Sequence, residues 1–178
     1  RGSELVLYAL PPVVRDASCQ AVVLGEGGRP YAEALQQLAA DMPGRFAFIP
    51  AHSESIARLI FAGSDAFLVP SLYEPCGLTQ MYALRYGSVP IVRDTGGLRD
   101  TVTHFDPHSG VGTGSVFRDA DTGGLSWAIS QVLAWYQQPS AWQRLRHNGM
   151  QADFSWTHQT PHYLALYRRL AGFEAQAS

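Results

Sequence analysis

The sequence predicts an α/β protein: a doubly wound parallel sheet followed by a helical tail. Three observations carry this. Short apolar runs, QAVVL, RFAFI, DAFLV and SVPIV, alternate with amphipathic stretches of helical spacing. Such alternation marks parallel βαβ units. The connections are too long for hairpins and have the length of crossover helices. Finally, the runs open into loops rich in Gly, Pro and small polar residues, namely GEGG, PAHSE, PSLYEPCG and RDTGGL. In an open α/β sheet, ligands bind beyond the carboxyl ends of the strands, so these four loops hold the candidate residues.

The elements follow in order. GSELVLYALPPVV reads as a short helix stopped by Pro11 and Pro12, because proline lacks an N–H and clashes with the preceding turn. QAVVL is a buried strand entering a glycine turn. PYAEALQQLAADM is an amphipathic helix with Pro30 in its first turn and Pro43-Gly44 beyond its end. RFAFI is the second strand. SESIARLIFAG is the next helix, with Ser53 as its N-cap. DAFLV is a third strand, apolar on both faces. GLTQMYALRY is a helix ended by Gly87, and SVPIV is the fourth strand. The stretch TGGLRDTVTHFDPHSGVGTG reads as a loop with a helical turn near its start, followed by the short strand SVFRD. GGLSWAISQVLAWYQ, SAWQRLRHNGM and a segment from about Thr160 to Gly172 read as helices. The division expected is a sheet domain over residues 1–150 and a helical tail over 151–178.

Composition removes several function classes. The chain has 178 residues, nearly half of them apolar, enough for one domain with a full core. Its formal charge of −2 and lack of any basic block argue against nucleic acid or an anionic membrane as partner. No apolar run has the length of a membrane span, and no leader is expected. Cys19 and Cys76 are far apart and form no CxxC, which disfavours a disulfide framework or a zinc site. Every basic residue apart from His is Arg, so Schiff-base chemistry on Lys is excluded.

The chemistry concentrates in PSLYEPCGLTQ. A strand ends near Val69 and a helix begins near Gly77 or Leu78. The first N–H groups of a helix lack internal partners and carry the positive end of its dipole. With Gly77 admitting close approach, this is an anion site suited to a phosphate or diphosphate. Glu74 would repel a phosphate; it suits the hydroxyls of a sugar. A diphosphate beside sugar hydroxyls is what a nucleotide sugar presents. A second reading stays open, in which Glu74 caps the helix and Gly77 only turns the chain. RDTGGL repeats the theme with Gly96 and Gly97, against an ordinary turn capped by Asp94 or Thr95. His52 follows the second strand, where it either meets a base or phosphate or is simply solvated. Cys76 has no neighbouring His or Asn in sequence and reads as a small packing residue. No acidic cluster appears, so no metal and no cofactor is expected.

PSLYEPCGLTQMYALRYGSVPIVRDTGGLRDTV closely resembles the signature of bacterial glycogen synthases and plant starch synthases, which are retaining glycosyltransferases of two Rossmann-like domains (the GT-B architecture). VVLGEG, FAGSDAFLVPS, GVGTGSVF, DFSW and YLALY stand in family order, so the likeness covers nearly the whole chain. The resemblance implies that Glu74 is the first Glu of the E-x7-E motif and contacts the donor sugar as the catalytic-site carboxylate. Tyr82 stands at the second position, where most such transferases place a Glu for the ribose and ADP-glucose users do not. It implies donor contacts from Cys76, Gly77, Leu78 and Thr79, and from Thr95, Gly96 and Gly97. His52 takes the place of an adenine-facing tyrosine, and Arg1 that of a phosphate-pairing lysine.

The resemblance extends only to the C-terminal domain of the family. The N-terminal, acceptor-side domain and the strand that would precede Arg1 have no counterpart. The expected activity is transfer of glucose from ADP-glucose to the non-reducing end of an α-1,4-glucan with retention. ADP or ADP-glucose is then the ligand of this chain, and the glucan acceptor depends on the absent domain. The alternatives are a stand-alone nucleotide- or glucan-binding module without catalysis, or a transferase for another nucleotide sugar. The expected location is the bacterial cytoplasm, or the plastid stroma in an alga or plant.

Overall fold

The computed structural model describes residues 2–16 and 19–172. In order these form α1 (Ser3–Asp16), β1 (Ala21–Leu24), α2 (Arg29–Asp41), β2 (Phe46–Ile49), α3 (Glu54–Gly63), β3 (Ala66–Val69) and α4 (Thr79–Tyr86). There follow β4 (Val89–Arg93), α5 (Gly96–Thr101), β5 (Ser115–Phe117), α6 (Thr122–Tyr136), α7 (Pro139–Gln151) and α8 (Trp156–Leu170). All the expected strands are present, and every ladder among them is parallel.

Strand β4 shows why the fold is wound on both faces. It pairs with β3 on one side and β5 on the other. Side chains alternate along a strand. Val89 and Ile91 accordingly enter one core with Leu125, Ala128, Ile129 and Val132 of α6, Leu145 of α7 and Leu5 and Ala9 of α1. Val92 enters the opposite core with Leu84 of α4 and Leu98 of α5. A strand covered on both faces needs the continuous apolar run that SVPIV provides.

The sheet is in two pieces, β1–β2 and β3–β4–β5, and no described strand joins β1 to β3. In the strand order 3-2-1-4-5-6 of dinucleotide folds, a first strand lies between the second and the fourth. With β1 taken as second and β3 as fourth in that order, the place of the first strand is where the sheet divides. Gly2 marks the same place. A Cβ there would stand 1.9 Å from the carbonyl oxygen of Pro70, so α1 starts at the carboxyl end of β3.

Three expectations about helices need correction. Pro11 and Pro12 do not stop α1, which continues to Asp16. Each proline removes a helical hydrogen bond, a cost of about 3 kcal/mol. The helix is held by burial on both sides of the pair, with Leu5 and Ala9 in the main core and Val14 packed with Leu35 of α2 and Phe46 of β2. Burying such a side chain contributes about 1.5–3 kcal/mol, so tertiary packing outweighs the local break. The loop after β4 contains a true short helix, α5. Helix α8 starts at Trp156 rather than near Thr160, because the Ser155 side chain caps it by accepting from His158 N. The caps read at Ser53 and Gly87 are as expected: Ser53 accepts from Ile56 N, and Gly87 takes φ 76°.

Candidate functional site

Loop 70–78 joins β3 to α4, and the turn 94–95 joins β4 to α5. Because β3 and β4 are adjacent and parallel, both connections leave the same edge of the sheet. They touch directly. Gly97 N donates to the Glu74 carbonyl at 3.1 Å. A Cβ on Gly96 would lie 2.0 Å from that same carbonyl oxygen, and one on Gly97 would lie 2.2 Å from the Cys76 carbonyl oxygen. These two glycines are therefore required for contact between the loops.

The Glu74 side chain is half-buried and makes no hydrogen bond or ion pair with any described residue. The N-cap of α4 is Leu78, and no side chain caps it. The cap reading of Glu74 is thus removed: its carboxylate stands free beside an uncapped helix start. Among the described residues, the N–H groups of Gly77, Leu78 and Thr79 have no hydrogen-bond acceptor. Gly77 takes φ +73°, a conformation that side-chain-bearing residues rarely adopt. Leu72, Tyr73 and Leu78 of the same loop are exposed.

The structure brings together Glu74, Cys76, Gly77, Leu78, Thr79, Gly96 and Gly97, with Thr95 at the N-cap of α5 making no side-chain cap. It does not bring the others. His52 is exposed beyond β2, on the other piece of the sheet, with no hydrogen-bond partner. Tyr82 lies one helical turn on from Thr79, with its ring against Phe61 of α3 at 5.8 Å between centroids. Arg1 falls outside the described residues. Cys76 is exposed, which corrects its reading as a packing residue. The backbone of Cys76 does the packing, against Gly97, while the thiol stays outside.

Two residues beside these loops escape the sequence reading. Gln80 is fully buried, and its Nε2 donates to the carbonyls of Cys76 (3.2 Å) and Gly77 (3.0 Å) and to Thr101 Oγ1 (3.1 Å). One signal was available: Gln80 precedes Ala83 and Leu84 at helical spacing, so it occupies a core position of α4. Arg93 ends β4, and its Nη1 donates to the Leu72 carbonyl, tying the strand to the loop. Its Nε is buried without a partner. Beside it, Asp94 pairs with Arg99 at 2.5 Å and Arg118 at 3.6 Å, so two arginines share one acid at this edge. A groove of about 410 Å³ lies elsewhere, between α4 and the α7–α8 junction. It is lined by Met81, Arg85 and Phe154 and includes no candidate residue. Among the described residues, no three His, Cys, Asp or Glu side chains converge as metal ligands, and no helix is long and apolar enough to cross a membrane.

Known proteins resemble this chain in sequence and in fold. A glycogen synthase of Granulibacter bethesdensis is 42% identical over 173 residues, covering 96% of this chain and 36% of that protein. A glycogen synthase of Syntrophotalea carbinolica is 44% identical over 171 residues, covering 95% of this chain and 35% of that protein. The chain therefore spans about a third of the length of these relatives. Among solved structures, the catalytic domain of starch synthase IV from Arabidopsis thaliana, bound to ADP and acarbose, superposes with a TM-score of 0.83. It is 32% identical, and the match covers 94% of this chain and 35% of that one. The family described as "Glycosyl transferases group 1" matches residues 1–149, which include every loop described above. With the two-loop edge, the parallel sheet and this match in agreement, the chain belongs to the group 1 glycosyl transferases.

Proposed function

We propose that this chain is the donor-binding part of a bacterial-type glycogen or starch synthase. In this reading the diphosphate of ADP-glucose lies against the free N–H groups of Gly77, Leu78 and Thr79. Glu74 accepts hydrogen bonds from the glucose hydroxyls. Gly96 and Gly97 keep the second loop close, so that its backbone also faces the donor. Transfer breaks the bond between the anomeric carbon and the diphosphate and forms an α-1,4 bond to the glucan end, with retention. The helix N–H groups and nearby arginines then stabilise the charge that develops on the departing ADP.

The proposal rests on one loop that holds, among the described residues, both an unpartnered carboxylate and a row of unpartnered backbone donors. Free N–H groups mark any uncapped helix start; what distinguishes this one is the half-buried Glu74 carboxylate in the same loop, which does not cap the helix. The relatives support the choice of chemistry: two are glycogen synthases, and the starch synthase structure holds ADP and acarbose. In this reading the acceptor side belongs to the portion of the relatives that this chain does not match, and the setting is the cytoplasm.

The test is calorimetry followed by a transfer assay. The chain alone is expected to bind ADP and to transfer no glucose from ADP-glucose to a maltooligosaccharide. Adding the complementary N-terminal portion of a glycogen synthase is expected to restore transfer. Absence of ADP binding would refute the donor assignment, and transfer by the chain alone would refute the division of labour.

A further inference from the structure

Gln80 explains why the backbone donors of the loop face outward. It is fully buried, and its donating end is fully used: two N–H bonds serve the carbonyls of Cys76 and Gly77 and the hydroxyl of Thr101. Its accepting end is not used at all. The Oε1 is buried with no donor, and it lies 2.6 Å from where a Cβ on Gly77 would stand. An unpaired buried oxygen is costly, and Leu or Met would fill the same space without that cost. What the amide contributes here is therefore what its nitrogen holds.

The effect on the loop follows from peptide geometry. In a planar trans peptide the C=O of one residue and the N–H of the next point in opposite directions, and no described peptide bond is cis. Drawing the Cys76 carbonyl inward turns the Gly77 N–H outward. Drawing the Gly77 carbonyl inward does the same for the Leu78 N–H. Both of these N–H groups lack an acceptor. The link continues into the second loop, because Thr101 Oγ1 donates to the Gly97 carbonyl at 2.6 Å while Gly97 N donates to the Glu74 carbonyl. One amide thus fixes both loops together.

We infer that Gln80 is a positioning residue that aims the Gly77 and Leu78 N–H groups at the donor diphosphate and locks the two glycine loops in register. This rests on the donor-site reading given above. The test uses Gln80→Met and Gln80→Glu, with ADP as the probe and the parent chain titrated alongside at each pH. Gln80→Met keeps the volume and removes the donor; it is expected to stay folded by circular dichroism and to bind ADP at least about tenfold more weakly, the loss of one charge-assisted hydrogen bond. Gln80→Glu places a carboxylate against carbonyl oxygens at pH 8 and is expected to bind weakly there. As pH falls, its carboxyl takes up a proton, regains an O–H donor and recovers affinity relative to the parent. A role limited to filling space predicts parent-like binding by Gln80→Met and no such pH profile. Parent-like binding by a folded Gln80→Met, or a Gln80→Glu that tracks the parent at every pH, overturns the inference and leaves the donor site standing. Should Gln80→Met not fold, the Gln80→Glu profile decides alone. Failure of the parent to bind ADP removes the donor site, and this inference with it.

Discussion

Replacing Gly97 by Ala tests the contact on which the site is built, because local and tertiary effects predict opposite signs. Gly97 sits in α5, and its φ lies outside the left-handed range. From helix preference alone, Ala would stabilise by about 0.5–1 kcal/mol. The added Cβ, however, would lie 2.2 Å from the Cys76 carbonyl oxygen and 2.6 Å from its Cα, both backbone atoms that cannot rotate away. Ordinary contact begins at 3.4 Å, so the two loops must part by about an ångström or more. Overpacking of this kind costs about 1–3 kcal/mol. The same movement stretches the 3.1 Å bond from Gly97 N to the Glu74 carbonyl, worth about 0.5–1.5 kcal/mol. The net loss is about 1–3 kcal/mol, or a fall in Tm of about 2–12 °C for a chain of this size. Gly63→Ala is the matched control, since its Cβ meets nothing within 4 Å; it is expected to hold or raise Tm. Thermal unfolding followed by circular dichroism, with ADP titration of each variant, reads both effects. If Gly97→Ala melts at or above the parent temperature, the loop contact is wrong and so is the geometry derived from it.

Two further predictions follow from single side chains. Because the Glu74 carboxylate has no partner among the described residues, Glu74→Gln is expected to leave Tm within about 2 °C. It should weaken ADP-glucose by about 1.5–3 kcal/mol while sparing ADP, and competitive titration of the two ligands checks this. His104 accepts from Val116 N through Nδ1 at 3.0 Å and stacks on Trp127, and burial holds its pKa below the ordinary 6.5 of an imidazole. The unfolded chain therefore binds this proton more readily, so the contribution of neutral His104 is present above pH 6.5 and is lost as pH falls through the lower folded value. Denaturant unfolding between pH 7.5 and 5 is expected to show this loss in the parent and a shallower slope in His104→Gln.

The elements that define the site were legible because local chemistry and tertiary demand agree there. DAFLV and SVPIV are continuous apolar runs, and both lie in a sheet covered on each face. Gly87 follows TQMYALRY and supplies the left-handed cap that ends α4. Where the two demands conflict, the sequence misled. Pro11 and Pro12 signal a stop, but Val14 beyond them is too well buried for α1 to end there. Cys76 reads as a buried residue by type, yet its backbone takes the contact and its side chain is left outside. The spacing of Gln80 with Ala83 and Leu84 marks a core position, but its bond to Thr101, 21 positions away, is something no local pattern reports. The division of the sheet between β1 and β3 is similar, since it depends on strand order and not on the composition of either strand.

ADP placed where loop 70–78 meets the start of α5 has a direct signature in the backbone amide shifts of the ¹⁵N-labelled chain. On titration with ADP the largest shifts are expected at Gly77, Leu78 and Thr79, with smaller ones at Gly96 and Gly97. Shifts confined to other parts of the chain, such as the groove lined by Met81, Arg85 and Phe154, would refute that placement.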